Sequence, residues 1–225
     1  EVGEKLKPIQ SRARNMLGYV LYRLGHHSPA IEMLDLALVD AGDDAQRRGQ
    51  ILGDRALALS ALGHHEEAIE GARQALEAAP GSAPVNHIVG FVLHFAGKPE
   101  EAIPFIEKSL ELDPSFTGAL RTLATARLAV GQTDAARELL QQALARTPND
   151  ADVVLQLSLL HIGDKRFDEA LAVLQPYLAA HPGDARVLNN QALALRGLKR
   201  FDEARRALKK AVRQAPEDPF LLTNF

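Results

Sequence analysis

Residues 89–114 read VGFVLHFAGKPEEAIPFIEKSLELDP. Apolar or small residues recur at Val89, Gly90 and Leu93, and again, beyond a glycine, at Ala102, Ile103, Ile106 and Leu110. Spacings of three, four and seven bring such residues to one face of an α-helix, and nothing alternates with the period of two that a strand needs. Gly97, which adopts a left-handed C-cap without steric cost, separates the two runs. Glu100 and Glu101 place negative charge at the start of the second helix, and Pro114 stops it. The stretch predicts two amphipathic helices joined by a tight turn.

Outward from Pro114 the same unit recurs. Pro80, Pro114, Pro148, Pro182 and Pro216 are spaced by 34 residues, and twelve residues before them stand Ala68, Ala102, Ala136, Ala170 and Ala204. The register runs back to Ala30, with Gly42 where a proline would be. The step there lengthens from 34 to 38, which reads as an extra helical turn over residues 45–48. Gly25, Gly63 and Gly131 mark further turns. Ser28 and Pro29 read as an N-cap followed by a first-turn proline, and Glu66, Glu67, Asp168 and Glu169 as acidic helix starts. Helix pairs are expected at about 11–41, 44–79, 83–112, 117–146, 151–180 and 185–214.

This unit resembles the tetratricopeptide repeat (TPR), a helix–turn–helix of 34 residues whose pattern joins a Leu-Gly step, an Ala-x3-aromatic step and a closing proline. Here the first step appears as Leu17-Gly18, Val89-Gly90 and Leu123-Ala124, weakening to Leu157-Ser158 and Gln191-Ala192. The second appears as Ala30-x3-Leu34, Ala102-x3-Ile106, Ala136-x3-Leu140, Ala170-x3-Leu174 and Ala204-x3-Leu208. Gly18, Ala56, Gly90, Ala124, Ser158 and Ala192 are all small, which lets the first helix lie close against the second. The chain departs from the family at its first large aromatic, replaced by Arg14, Leu52, Asn86, Leu120, Val154 and Leu188. Tyr177 takes a small residue's place behind Pro176, where a kink is expected.

The resemblance implies an all-α, right-handed α-solenoid of six repeats, about twelve helices, at 11–44, 49–82, 83–116, 117–150, 151–184 and 185–218. Residues 1–10 read as a lead-in, and 219–225 as a truncated seventh repeat or a capping helix. Ala204, Leu208 and Ala211 are expected to leave an apolar end open to end-to-end self-association.

Composition excludes several classes of function. The 225 residues are 46% hydrophobic but only 5% aromatic, and contain neither Cys nor Trp. Disulfides, thiolate catalysis and Cys-ligated zinc are therefore ruled out. A net charge of −3 argues against general nucleic-acid affinity, and no apolar run approaches a membrane span. Residues 185–218 carry a net +5, leaving −8 for the rest. Arg205, Arg206, Lys209, Lys210 and Arg213 read as a solvated face, since no aromatics interleave them. Residues 90–98 imitate a phosphate loop with the wrong glycine spacing. His26, His27, His64 and His65 recur at one turn but diverge too far to share a metal. His27 and His65 read instead as fillers of the half-buried slot that Phe167 and Phe201 take later. No metal site, cofactor or catalytic residue is expected.

In this family the first helices line the concave, partner-binding face. On the first helix of the third repeat His87, Phe91, His94 and Phe95 form one stripe, distinct from the packing face of Asn86, Val89, Gly90 and Leu93. Such a stripe is either packing between repeats or a binding surface, and the apolar groove reading favours a bound helix or extended peptide. Tyr19, Tyr22, Leu57, Thr125, Leu159 and Leu193 occupy equivalent positions. Arg121, Gln156, Arg186 and Asn190 loosely resemble the clamp by which chaperone-binding TPR domains hold a terminal carboxylate, with Thr125 where that clamp has asparagine.

The sequence thus reads as a non-enzymatic interaction scaffold that binds a partner's peptide or helix through His87, Phe91, His94, Phe95, Arg121, Thr125, Gln156, Leu159, Arg186 and Asn190. The alternative is the recruiting arm of a larger multidomain enzyme. The Ala-, Arg- and Leu-rich, Lys-poor composition points to a GC-rich bacterium. A cytoplasmic location is expected, with the periplasm second.

Overall fold

The computed structural model describes residues 2–218, with side chains from residue 6 onward. Twelve helices and no strand occur among them. In order these are α1 (Val2–Arg23), α2 (His27–Asp40), α3 (Ala45–Ala61), α4 (His65–Ala78), α5 (Ala83–Phe95) and α6 (Pro99–Leu112), then α7 (Thr117–Ala129), α8 (Thr133–Arg146), α9 (Ala151–Gly163), α10 (Phe167–Ala180), α11 (Ala185–Gly197) and α12 (Phe201–Gln214). Two compact units divide the chain, the first ending at Gln132 and carrying α1–α7, the second beginning at Thr133 and carrying α8–α12. Residues 2–10 are continuous with α1, and the expected extra turn opens α3 at Ala45. The seventh repeat or capping helix expected at 219–225 lies outside the described residues.

Each hairpin turn is closed by the same backbone device. The second residue past the first helix takes a positive φ at Gly25, Gly63, Gly97 and Gly131, and in the last two hairpins at Lys165 (61°) and Lys199 (60°). The next amide then reaches back to a carbonyl inside the helix, as from His26 to Leu21 (2.9 Å), Lys98 to Leu93 (2.9 Å) and Arg200 to Leu195 (2.9 Å). These are Schellman closures, and they persist where lysine must bear the left-handed strain that glycine avoids.

Helices α3, α5, α9 and α11 are capped by side chains in register. Asp44 accepts from the Arg47 amide (3.0 Å), Asp150 from Asp152 (3.0 Å) and Val153 (3.3 Å), and Asp184 from Arg186 (3.1 Å) and Val187 (3.2 Å). Ser82 caps α5 through Val85 (3.4 Å). Phe116 stands at this register before α7 and makes no side-chain cap. At α2 the cap position belongs to His26 rather than to Ser28, which falls inside the first turn with Pro29.

Close approach follows from the small residues. A Cβ on Gly18 would lie 2.6 Å from Leu34 Cγ, and one on Gly90 would stand inside the contact shell of Ile106 and 3.0 Å from the Ala102 carbonyl oxygen. Ala30, Ala68, Ala102, Ala136, Ala170 and Ala204, the repeat's alanines, are all buried. Ala204, Leu208 and Ala211 are buried too, so the last repeat does not present them as an open end. His27 and Phe167 are half-buried as expected, whereas His65 and Phe201 are exposed. Helix α10 runs through Pro176, and the Tyr177 hydroxyl donates to Asp184 Oδ2 (3.1 Å), tying the buried ring to the cap of α11.

Candidate functional site

In the first unit the odd helices α1, α3, α5 and α7 line a groove of about 640 Å³. Tyr19, Leu57, Ile88 and Phe116 supply its apolar wall, and Arg12, Arg23, Asp54 and Arg121 its charges. Helices α2, α4 and α6 contribute nothing to the lining, as expected when the second helix of each hairpin packs behind the first.

His87 sits at the centre of this face. Its Nε2 lies 2.9 Å from Thr122 Oγ1, whose own hydroxyl donates to the Gly118 carbonyl (3.0 Å). The threonine proton is thus engaged, so His87 Nε2 carries a proton and Nδ1 is left as an acceptor. Burial, aided by the Arg121 charge, pushes the imidazole down to about 4. His87 is neutral at physiological pH. The Phe116 ring meets it edge-on with centroids 4.9 Å apart.

Phe116 gives up the capping role that Asp or Ser fills at four other helix starts and lines the groove instead. A missing N-cap costs roughly 1 kcal/mol. That break in register was a legible signal, and reading the sequence for groove stripes alone missed it.

Asp54 was missed as well. It occupies the position held by Ile88 and Thr122 in the next two repeats, and it is only 4% exposed. Gln50 Nε2 donates to it at 3.1 Å and Asn15 donates a second hydrogen bond, but no cation pairs with it among the described residues. Burial raises its carboxyl from 3.8 to about 6, against the lowering effect of those two amides. Asn15 Oδ1 is itself buried without a partner.

The remaining expected residues of this unit divide. Arg121 lines the groove with His87. Phe91 and Phe95 stack at 4.3 Å one turn further along α5, Phe91 half-buried and Phe95 57% exposed, outside the lining of the cavity. His94 meets Phe95 edge-on at 5.4 Å, and burial lowers its pKa. Thr125 donates to the Thr122 carbonyl (2.8 Å), so its hydroxyl hydrogen is already engaged.

The other four expected residues belong to the second unit. Leu159 is exposed, and Gln156 is half-buried with an unpartnered Oε1. Arg186 faces Asp152 at 3.5 Å across an exposed pair. Asn190 is buried, and its amide donates to Ser158 Oγ (3.0 Å) and the Leu155 carbonyl (3.4 Å), joining α11 to α9. Its single-residue register match could not reveal that Ser158 would lie opposite.

Among the described residues no three His, Asp or Glu side chains converge as metal ligands, and no helix is long and apolar enough to cross a membrane. Arg205, Arg206, Lys209, Lys210 and Arg213 are exposed on α12.

One tetratricopeptide-repeat family model matches residues 96–160, 127–195 and 161–221, more than half of the chain, and a second matches residues 49–82. The chain belongs to the tetratricopeptide repeat family. No curated protein matches it in sequence. Among solved structures it is similar to PilW, described as a widely conserved type IV pilus biogenesis factor, at 21% identity and a TM-score of 0.80, covering 95% of this chain and 97% of that one. Pseudomonas aeruginosa PilF gives 19% identity and a TM-score of 0.77, covering 96% and 97%. YrrB, described as a TPR protein with an unusual peptide-binding site, gives 23% and 0.64, covering 84% and 96%. At these identities the likeness concerns the fold.

Proposed function

We propose that the first unit binds a peptide or helix of a protein partner along its odd-numbered helices. The observation that carries this reading is the groove of about 640 Å³, whose aromatic and aliphatic wall is interrupted by a few convergent polar groups. Such a wall receives apolar side chains, and repeat stacking preforms it, so little ordering accompanies binding. The exposed Phe95 and its stacked neighbour Phe91 extend the apolar face along α5. The peptide-binding description of YrrB agrees with this use of the fold. Gln156, Leu159 and Arg186 offer contacts to a partner from the second unit. Contact between two copies at the last repeat would run through exposed Phe201 rather than through buried Ala204, Leu208 and Ala211.

The test is a phage-displayed random peptide library selected on the full chain, followed by titration of synthetic binders. Tyr19→Ala and Phe95→Ala remove rings that are 38% and 57% exposed, so the melt should hardly move. Each should weaken binding about tenfold or more if the ring is an anchor. Binders indifferent to both substitutions would refute the groove.

A further inference from the structure

The acceptors around Asp54 demand a positively charged donor that the chain does not supply. Asp54 lines the groove yet is almost fully shielded from water, and both of its hydrogen-bond partners, Gln50 and Asn15, are neutral amides. Asn15, with its amide directed to Asp54, leaves Oδ1 buried and unsatisfied beside it. A buried carboxylate without a counter-charge is costly, and so is an orphaned buried carbonyl.

The charged and titratable groups facing this site are Arg12, Tyr19, Tyr22 and Arg23 from α1, His87 from α5 and Arg121 from α7. None neutralises Asp54. Arg23 Nη1 donates to the Tyr19 hydroxyl (3.2 Å) and its guanidinium lies 5.9 Å from that ring. His87 is neutral, with its Nε2 proton engaged by Thr122. Arg12 is exposed and solvated. Water already serves the exposed arginines, so an acidic ligand gains little from them, whereas a cation reaching Asp54 relieves a desolvated charge.

We propose that the segment bound in this groove carries a lysine or arginine whose cation seats between Asp54 and Asn15 Oδ1, in the groove that the Tyr19 ring also lines. The proposal rests on the groove reading given above and adds to it the chemistry of the anchor. The Tyr19 ring and the Asp54 carboxylate line the same groove, and an aromatic face and a carboxylate each favour an ammonium or guanidinium group.

Peptides from the library selection serve as probes. Binders should hold Lys or Arg at one position, and replacing it with norleucine or citrulline should weaken binding about thirtyfold or more. Asp54→Asn should cause a loss of similar size, and the two losses should not add. The ligand-side replacement needs no variant protein, so it reads the subsite even if Asp54→Asn folded poorly. Binders that lose affinity on Phe95→Ala or Tyr19→Ala, yet tolerate norleucine or citrulline and Asp54→Asn, overturn this proposal and leave the groove standing. A fixed Asp or Glu in the binders would likewise overturn it. A selection that yields no binder sensitive to Phe95→Ala or Tyr19→Ala overturns both.

Discussion

Asp54→Asn should make the free protein more stable at neutral pH. The folded state holds the Asp54 proton up to about pH 6, against 3.8 for the ordinary side chain. A rise of that size corresponds to about 3 kcal/mol by which burial penalises the ionised form. Above pH 6 the carboxylate is charged in both the folded and unfolded states, and the whole penalty falls on the folded one. As pH drops through 6 the folded state takes up the proton first, and the wild type regains stability. Below 3.8 nothing remains to regain. The advantage of Asp54→Asn should therefore be largest at pH 7.5, up to about 3 kcal/mol, and shrink by about 1 kcal/mol by pH 5. His87 titrates with the opposite sign. Its pKa falls from 6.5 to about 4, so the unfolded state protonates first and stability is lost below 6.5. That loss, about 2 kcal/mol by pH 5, occurs in wild type and variant alike and cancels in the difference. Urea denaturation followed by circular dichroism at pH 7.5, 6 and 5 measures it. A variant less stable than wild type at pH 7.5, or an advantage that grows as pH falls, would refute the picture of a buried carboxylate lacking a cation.

Gly90→Ala gains about 1 kcal/mol of helix propensity but forces a methyl into Ile106 and the Ala102 carbonyl, an overpacking worth about 1–3 kcal/mol. A thermal melt lowered by a few degrees is expected, and a raised one would contradict the close approach of α5 to α6. Lys165→Gly and Lys199→Gly relieve left-handed strain at φ near 60°, less the added freedom of the unfolded chain. Each should raise stability by about 0.5–1 kcal/mol and, lying in different hairpins, the two should add in a denaturant titration. A loss from either would mean that its lysine side chain stabilises the turn.

The packing face of each helix was legible because it obeys a periodic rule. Leu34, Ile106, Leu140 and Leu174 recur at the repeat step and are all fully buried. The binding face obeys no such rule. His87, Phe91 and Phe95 could be placed on one stripe from helical spacing, but spacing could not say that His87 would turn to Thr122 or that Phe95 would stay in water. Helical spacing placed Asn190 on the same stripe but could not show Ser158 within 3.0 Å of its amide.

The sequence by itself determined the repeat length, the helix pairs, the turn positions and the absence of thiol chemistry. These depend on contacts within about one repeat, where covalent spacing dictates which side chains share a face. Only the tertiary structure decided that Arg12, Asp54, His87, Phe116 and Arg121 line one cavity. Those residues come from four helices spread over more than a hundred positions, and whether a carboxylate there meets water, an amide or a cation depends on how neighbouring repeats stack. Burial is a property of that stacking, and no single helix carries it in its sequence.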